Sequence, residues 1–384
     1  MNQQPAVRPL WRRILRRVFQ AIAVIVALGF AALAFAYYRS DNDCAALAAA
    51  RPASPMKAIC YCDYGTADVL KLQEVEKPVP TDEQMLIKVR AASVNPLDWH
   101  FMRGTPYFMR IGAGLRKPAV TRLGVDFSGT VEAVGGRITK FKPGDEVFGA
   151  RNGAFAEYVV AREDRGVIPK PANITFEQAA GVGIAGVTAL QGLRDKGHVG
   201  PGTKVLINGG SGGVGTFAVQ IAKMLGAEVT GVCSGRNVDL VRSLGADHVI
   251  DYTKDDFTQG DVRYDVILDN VGNRTLTEVR RVMTPDGRYV LVGGGGPDKG
   301  NWIGPMWLPL KALFVNPFVS QQMGMMMADL TAEDLTILSG AMESGKVTPV
   351  VDRTFPLAET AEAVRYVEAG HARGKVIITM PTAP

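Results

Sequence analysis

The sequence predicts an α/β protein in which a doubly wound parallel sheet is joined to a mostly β unit, with an apolar helix before both. Three observations predict this. A strand-like run, a glycine-rich turn and a helix follow one another over residues 204–225, and strands and helices alternate from there to about residue 294. Short strands broken by Gly and Pro fill residues 56–165. Regular alternation of strand and helix is typical of a parallel sheet covered on both faces.

The glycine turn is the most informative stretch of the chain. The apolar run 205–207 predicts a buried strand, and the turn NGGSGGVG follows it directly. Without Cβ atoms the turn lets a pyrophosphate approach the backbone, and the N–H groups of the next helix attract the anion. The spacing GxxGxxG of Gly209, Gly212 and Gly215 therefore predicts a dinucleotide site, with a plain turn as the alternative.

The second strand of the sheet is predicted by AEVTGVC, residues 227–233. An acidic residue after this strand would bind the ribose hydroxyls of NAD. The chain instead has Ser234, Gly235, Arg236 and Asn237. A hydroxyl and a guanidinium suit a 2′-phosphate, so the sequence favours NADPH over NADH, and the alternative interpretation is a turn with a solvated arginine.

The basic bias of the chain belongs to its N-terminus. The formal net charge is +5, and residues 1–55 hold seven Arg and two Asp, which accounts for all of it. The remainder has equal numbers of basic and acidic residues. Nucleic-acid binding by the main body is therefore unsupported.

The four cysteines are Cys44, Cys60, Cys62 and Cys233. They form no CxxC pair, and two neighbouring thiols do not make a zinc site. We therefore expect structural thiols in a reducing compartment.

An uncharged run from Val18 to Tyr38 follows five arginines and contains Gln20 as its one polar residue before the tyrosines. It is long enough to span a bilayer, and Tyr37 and Tyr38 stand where interfacial aromatic residues belong. A cleaved signal peptide would have a shorter apolar region, and an organelle presequence would be less uniformly apolar. We expect a single-pass membrane anchor at about 18–38, with Asp41–Pro55 as a linker.

The side of the membrane is left open by the sequence. The positive-inside rule places the arginine cluster in the cytoplasm and the main body on the other side. A soluble nicotinamide cofactor is scarce there, so the two inferences disagree.

The pattern of strands and helices is less regular before and after the alternating region. No marked helix is expected before residue 165, and the stretch 176–197 predicts the first helix after it. FVNPFVSQQM, residues 314–323, predicts an edge strand, because Pro317 cannot donate to a central ladder. The final stretch from residue 346 returns to strand and helix and is expected to pack on the β unit.

Several motifs in order resemble one known family. They are GVDFSGTVEAVG, KPGDEVFG, AGVTALQGL, INGGSGGVG, LGADHVIDY and GKVII. Together they resemble the medium-chain dehydrogenase/reductase superfamily, in its zinc-free quinone oxidoreductase branch. SVNPLDWHFMRG and the pair DNVGN and GGGG are also similar to the mitochondrial NADPH oxidoreductases of that branch.

The resemblance covers residues 56–384 and implies a domain division. It implies a GroES-like, mostly β catalytic domain over 56–178, completed by 346–384. A Rossmann NADP-binding domain is implied over 179–345, and residues 1–55 precede both as basic segment, membrane anchor and linker.

The zinc enzymes of the superfamily use a Cys and a His–Glu pair as catalytic ligands. The corresponding places here hold Asn95, and Val125 with Asp126. The four histidines of the chain are scattered, whereas a zinc site needs about three protein ligands. No metal site is therefore predicted.

The branch resemblance implies NADPH-dependent reduction of a quinone, an enone or an alkenal. Hydride adds to a carbon made electrophilic by conjugation, and the charge that appears on the carbonyl oxygen needs hydrogen-bond donors. Asn95 and Tyr107 are the predicted donors, with Tyr107 alternatively an acid, and Asp98 is expected to orient the loop. A plain turn with Asp98 as its cap is the alternative.

The resemblance also implies which residues hold the cofactor. They are Thr188, Gly210, Ser211, Gly212, Gly213, Val214, Ser234, Arg236, Tyr252, Asn270, Gly293, Gly294 and Lys375. The chain departs from the family at Gly183, where the family usually has a proline before its GxTA motif.

Three functions follow as hypotheses. The first is a membrane-anchored, zinc-independent NADPH:quinone or enone reductase whose anchor brings a lipid-soluble acceptor within reach. The second is an alkenal reductase that clears products of lipid peroxidation. The third is a silent NADPH-binding sensor or scaffold. A homodimer through the edge strand near 313–323 is an expectation from the family.

Overall fold

The described part of the chain opens with one long helix. A computed structural model describes residues 10–38, 40–45, 51–293, 302 and 304–381. Helix α1 is Leu10–Tyr38, and its part Leu15–Tyr38 has a mean hydropathy of 2.5 with exposed faces. By length and composition alone, this part is a candidate membrane span.

The segment after α1 is docked on the body, where the sequence predicted a linker. The Ser40 hydroxyl accepts hydrogen bonds from the backbone N–H groups of Leu115 and Arg116. Cys44 forms a disulfide with Cys62, so the expectation of thiols throughout is wrong for this pair. Cys60 and Cys233 are buried free thiols.

A mostly β unit follows, and it contains helices that the sequence analysis missed. Its strands are β1 (Pro55–Cys60), β2 (Lys71–Glu76), β3 (Met85–Val94), β4 (Asp126–Val134), β5 (Glu146–Ala150), β6 (Tyr158–Ala161) and β7 (Val167–Pro169). Strands β1 and β2 form a separate antiparallel pair. Helices α2 (Pro96–Arg103) and α3 (Arg110–Ala113) lie between β3 and β4.

Helix α2 had a readable start signal. Asn95 is its N-cap, Pro96 occupies the first helical position, and Asn95 and Asp98 form a capping box. Proline at the first position and a box of this kind are both typical of a helix N-terminus. The expectation of no marked helix before residue 165 is therefore wrong.

The second sheet is parallel throughout. It is reached through helices α4 (Phe176–Ala180) and α5 (Gly183–Gln191) and contains β8 (Lys204–Asn208), β9 (Glu228–Cys233), β10 (His248–Asp251), β11 (Tyr264–Asp269), β12 (Met283–Leu291) and β13 (Gln322–Met325). The strand order is β10-β9-β8-β11-β12-β13. The helices between and after these strands are α6 (Gly213–Met224), α7 (Val238–Ser243), α8 (Leu276–Arg281), α9 (Trp307–Val315) and α10 (Ala332–Glu343).

From β8 the chain first adds strands on one side of the sheet, β9 and then β10, and later adds β11 to the other side of β8. Strand β8 is parallel to both of its neighbours, β9 and β11, so the switch point lies between β8 and β11. In an open α/β sheet, ligands bind at the carboxyl ends of the strands beside such a switch point. The doubly wound expectation is confirmed.

The expected edge strand begins later than the sequence suggested. Residues Trp307–Val315 form α9, a short 3₁₀ helix covers Asn316–Phe318, and pairing begins only at Gln322. The position at the sheet edge is right, because β13 pairs with β12 at the end of the strand order. The apolar run before Pro317 continues as a helix, which its length permits.

The C-terminal stretch returns to the first sheet. It contains β14 (Val351–Pro356), α11 (Thr360–Glu368) and β15 (Lys375–Thr379). Strand β15 pairs with β3, which gives the sheet order β14-β15-β3-β4-β5-β7, with β6 also on β3. This return places residues from the end of the chain against the β unit, beside the glycine turn.

Candidate functional site

The glycine turn lies at the carboxyl end of β8, at the switch point. Gly209 has a φ of +80°, which favours glycine. A Cβ on Gly215 would lie 2.0 Å from the Gly209 carbonyl oxygen, so the helix can approach the strand this closely only with glycine. Gly212 caps α6 without a side chain, which leaves the first-turn N–H groups for an anion.

The predicted cofactor residues of this turn are all on it or at the start of α6. They are Gly210, Ser211, Gly212, Gly213 and Val214. Their contact with a pyrophosphate stays a prediction.

Ser234 and Arg236 follow β9, on the neighbouring strand. The side-chain amide of Asn237 donates to the Ser211 and Ser234 hydroxyls, at 3.0 and 3.2 Å. These two hydrogen bonds connect the two loops, and no role for Asn237 was predicted from the sequence. Arg236 is exposed and donates to the His371 carbonyl at 3.2 Å. The loop therefore presents a hydroxyl and a guanidinium side by side.

The remaining strand ends contribute Tyr252, Asn270 and Gly293. Tyr252 follows β10 and is exposed. Asn270 follows β11 and donates to the Asn208 carbonyl at 3.0 Å. A Cβ on Gly293 would lie 2.3 Å from the Asn270 carbonyl oxygen, so this approach requires glycine. Gly294 lies outside the residues that the structure describes.

Two buried amide oxygens test whether these residues fit a nicotinamide dinucleotide. Oδ1 of Asn237 and Oδ1 of Asn270 are buried without a hydrogen-bond partner in the described part of the chain. A buried acceptor left unpaired is costly, so such atoms point to a missing donor. Both stand at the carboxyl ends of the strands, where ribose hydroxyls and the carboxamide of the cofactor offer donors. The residues present fit the group.

The second part of the candidate site lies in the β unit and is centred on a buried polar network. Lys375, the first residue of β15, donates from Nζ to Oδ1 of Asn95 at 2.6 Å, and Nδ2 of Asn95 donates to Oδ2 of Asp126 at 2.9 Å. The Lys375 ammonium and the Asp126 carboxylate are 3.9 Å apart, and all three side chains are buried. The Ser93 hydroxyl also donates to Asp126, at 3.1 Å.

Strand register places these side chains together. Val376 pairs with Val94 across β15 and β3, which sets Lys375 beside Asn95. Ser93 pairs with Asp126 across β3 and β4. The network therefore joins three strands whose pairing the sheet fixes.

Helix α5 supplies the last partner of Asp126. The backbone N–H of Ile184 donates to Oδ1 of Asp126 at 2.9 Å, at the helix N-terminus where a negative charge is favoured. A Cβ on Gly183 would lie 2.3 Å from that same oxygen. The departure at Gly183 thus has a physical reason, because the carboxylate occupies the space of a side chain there.

Burial changes the proton affinities of the network. It lowers the pKa of Lys375, with Asp126 and Asp98 opposing the change. Burial raises the pKa of Asp126, and Lys375 and the hydrogen bonds from Asn95, Ile184 and Ser93 oppose it. Each charge is tolerated because the other is present.

Asp98 holds the loop that carries Asn95. Its carboxylate oxygens accept from the backbone N–H of Asn95 at 2.7 Å and of Gly124 at 3.0 Å. Burial raises the pKa of Asp98 to about 7, although both hydrogen bonds lower it. This geometry is that of a residue that orients a loop.

The remaining residues that the sequence predicts for the site are Tyr107 and Thr188. Thr188 is buried within α5. Tyr107 begins a short 3₁₀ helix, is half-buried, and packs edge-to-face on Trp302 with ring centroids 5.5 Å apart. The Arg110 guanidinium lies 4.8 Å from the Tyr107 ring centroid.

Lys375 also reaches the glycine turn. The backbone N–H of Gly374 donates to the Ser211 carbonyl at 2.9 Å. A Cβ on Gly213 would lie 3.3 Å from Cδ of Lys375, so the lysine stem is in contact with the start of α6. The polar network and the dinucleotide turn are thus one site, built from both sheets.

A zinc ion does not suit this donor set. Asn95 stands where zinc enzymes have a cysteine, and the Asp126 carboxylate is already bonded to Asn95, Ser93 and Ile184, with an ammonium beside it. A second cation would meet the charge of Lys375. Among the described residues, no group of three or more His, Cys, Asp or Glu side chains is placed to hold a metal.

Comparison with known proteins agrees with the family that the sequence motifs resemble. The family description "Alcohol dehydrogenase GroES-like domain" matches residues 81–172, and "Zinc-binding dehydrogenase" matches residues 244–378. NADPH-dependent alkenal/one oxidoreductase of Arabidopsis thaliana is 35% identical over 338 residues, which are 84% of this chain and 79% of that protein. Quinone oxidoreductase of Mus musculus is 33% identical over 343 residues, 85% of this chain and 98% of that protein.

A solved structure agrees with the fold. The quinone oxidoreductase from Coxiella burnetii has a TM-score of 0.74 and 31% identity, covering 85% of this chain and all of that chain. The chain belongs to the medium-chain dehydrogenase/reductase superfamily, with a Rossmann fold and a GroES-like fold. The family and fold class expected from the sequence motifs are confirmed.

The first prediction concerns the buried ion pair. Replacing Lys375 by Met leaves the Asp126 carboxylate buried beside an apolar side chain, which costs about 3 to 5 kcal/mol. We expect the free energy of unfolding in detergent to fall by this amount, and the further change Asp126→Asn to recover part of it. Lys346→Met, at an exposed lysine, is the matched control. Equal stability of K375M and K346M would contradict the ion pair.

The second prediction concerns pH. The pKa of Asp98 is about 7 in the fold and ordinarily 3.8, so between these values the folded protein holds a proton that the unfolded chain has lost. The contribution of Asp98 to the free energy of unfolding therefore falls as the pH rises from about 4 to about 7. At about 1.4 kcal/mol for each pKa unit, the fall is up to about 4 kcal/mol.

Asp98→Asn resembles the protonated side chain and should lose this part of the pH dependence. Denaturation curves from pH 4 to 8 measure it, with Asp239→Asn, at a fully exposed position, as the control. The assignment is overturned if D98N and D239N show the same slope.

Proposed function

We propose that this protein is a zinc-independent, NADPH-dependent reductase of a quinone or an α,β-unsaturated carbonyl. The observation that carries the proposal is the contact of Lys375 with both the glycine turn and the buried Asn95–Asp126 network. This arrangement combines the uncapped first turn of α6 as an anion site with a buried set of hydrogen-bond donors that does not suit zinc. The Arabidopsis and mouse relatives, named for alkenal/one and quinone reduction, support the same chemistry.

NADPH supplies the hydride when it is bound. Hydride adds to the electrophilic carbon of the acceptor, the electron pair moves to the carbonyl oxygen, and a proton from an acid or from water completes the reduction. Charge on that oxygen is best stabilised by donors already fixed in place. Residues that hold these donors therefore contribute to the rate without contacting the acceptor.

Asn95 suits a positioning role. Its Oδ1 accepts from Lys375 and its Nδ2 donates to Asp126, so both amide atoms are engaged. Asp98 holds the loop of Asn95, as expected. Tyr107 stays the predicted donor or acid.

We assign Ser234 and Arg236 to the 2′-phosphate of NADPH, with Tyr252 beside the same phosphate. Thr188, Asn270 and Gly293 are assigned to the nicotinamide half. The exposed guanidinium of Arg236 after β9 supports the choice of NADPH, because arginine binds phosphate with paired hydrogen bonds.

The third prediction follows from this assignment. A hydrogen bond to a charged group contributes about 1.5 to 3 kcal/mol, so Arg236→Ala should weaken NADPH binding about 10- to 100-fold and leave NADH binding nearly unchanged. Arg242→Ala, at an exposed arginine paired with Asp239, is the control. Titration of cofactor fluorescence measures both constants, and an equal loss for the two cofactors would falsify the assignment.

The proposal also includes membrane anchoring and the formation of a homodimer. We propose that α1 is a single-pass anchor, supported by the apolar part Leu15–Tyr38. The edge strand β13, with exposed Leu313, Phe314 and Phe318 before it, supports a homodimer. Carbonate extraction of membranes measures whether the protein is integrated in the bilayer. Sedimentation of the detergent-solubilised protein measures whether it is a dimer.

The fourth prediction tests the reaction. The full chain in detergent, with a chelator present, should oxidise NADPH in the presence of at least one quinone, enone or alkenal. The ranking of the acceptors separates the quinone reductase from the alkenal reductase. NADPH binding without turnover on the whole panel would overturn the reductase and favour the sensor or scaffold.

A further inference from the structure

The end of α1 is part of the folded body. Ala36, in its last turn, is fully buried, and the Ser40 hydroxyl donates to the Ala36 carbonyl at 2.8 Å. That same hydroxyl accepts from the backbone N–H groups of Leu115 at 2.9 Å and Arg116 at 3.2 Å. The Arg116 guanidinium lies 4.3 Å from the Tyr37 ring centroid. The helix therefore ends on the loop that follows α3.

The next residues fix this attachment. The Thr121 hydroxyl donates to the Asp43 carboxylate at 3.3 Å. The Asn42 side-chain amide donates to the Cys62 carbonyl at 2.8 Å, and Cys44 is covalently bonded to Cys62. Four of the five side chains from Ser40 to Cys44 thus hold the end of the helix to the body.

This attachment sets the distance between the body and the candidate span. Ser40 is two residues beyond Tyr38, where the span ends, and an extended chain covers about 3.5 Å for each residue. Ser40 therefore lies within about 7 Å of that end, and the loop is one hydrogen bond further away. When α1 crosses a bilayer, this loop is at the level of the lipid headgroups.

We call residues 107–121 the interfacial segment, and its composition suits that level. It has no Asp or Glu. Its apolar side chains Phe108, Ile111 and Val120 are 45%, 45% and 53% exposed, and Arg116 and Lys117 are exposed beside them. Exposed apolar side chains with interspersed basic residues are typical of a surface that lies in a membrane interface.

The interfacial segment includes one residue that is predicted to act in the reaction. It begins with Tyr107, the predicted donor, whose ring packs on Trp302. Trp302 is 77% exposed, which extends the apolar surface beyond the segment, and tryptophan is enriched at the headgroup level.

We propose that the interfacial segment docks on the lipid bilayer and that the acceptor enters the site from the bilayer past Tyr107. The docking follows from the attachment of α1 and the composition of the segment. The route of the acceptor rests in addition on the proposed reductase function. Substrates of matching chemistry are conjugated carbonyl compounds with long apolar chains.

The docking is tested by fluorescence depth measurement on the full chain. Ile111→Cys is labelled with an environment-sensitive dye in phosphatidylcholine vesicles. The native cysteines are buried thiols or disulfide-bonded, so the dye goes to the new one. We expect nitroxide lipids labelled near the headgroup to quench it at least threefold more than the same dye at Val262→Cys.

Val262 is exposed and lies before β11, at the amino ends of the parallel strands. Val120→Cys serves as a second position in the segment. Equal quenching at positions 111, 120 and 262 would overturn the docking.

The route is tested by kinetics in the same vesicles. Ile111→Asp with Val120→Asp puts two carboxylates into the surface. We expect the KM for a long-chain isoprenoid quinone, in mole fraction of lipid, to rise about tenfold, while kcat and the KM for a short water-soluble quinone stay unchanged. Equal changes for both quinones would overturn the route. Absence of turnover by the unaltered protein would overturn the reductase and the route together, and the quenching result would still decide the docking.

Discussion

The buried ion pair of Lys375 and Asp126, bridged by Asn95, is the interaction on which the site depends. It connects the last strand of the chain to β3 and β4, and the stem of the same lysine contacts the glycine turn. Buried charges are stable only as a satisfied set. The sheet register, the start of α5 and the position of the glycine turn are therefore linked through one small network.

Local signals were sufficient to predict the strand, glycine turn and helix that form the proposed dinucleotide half of the site. The strand, the glycine turn and the loop after β9 are contiguous in sequence, and each imposes its own geometry. The division into two sheets was equally predictable, because short strands give way to alternating helices and strands near residue 176. The capping box that begins α2 was also local, but it was interpreted as the cap of a plain turn because the surrounding strands dominated the pattern.

The polar network could not be predicted in the same way, because its partners are far apart in the chain. Asp126 was noted only as the occupant of a lost zinc position, and Lys375 only as a cofactor residue. Strand pairing brings them together, and pairing between distant strands leaves no mark on either one alone. The disulfide was missed for a similar reason, since Cys44 meets Cys62 only after the end of α1 docks.

The short attachment between α1 and the body also bears on motion. A body held to a membrane helix by a flexible linker tumbles freely and samples a large volume of water. With α1 as the proposed membrane anchor, the connection is two residues long and is followed by a covalent bond, which leaves rotation about the membrane normal as the main freedom. An apolar molecule dissolved in the same leaflet is then found by lateral diffusion in two dimensions, at a rate set by the fluidity of the lipid.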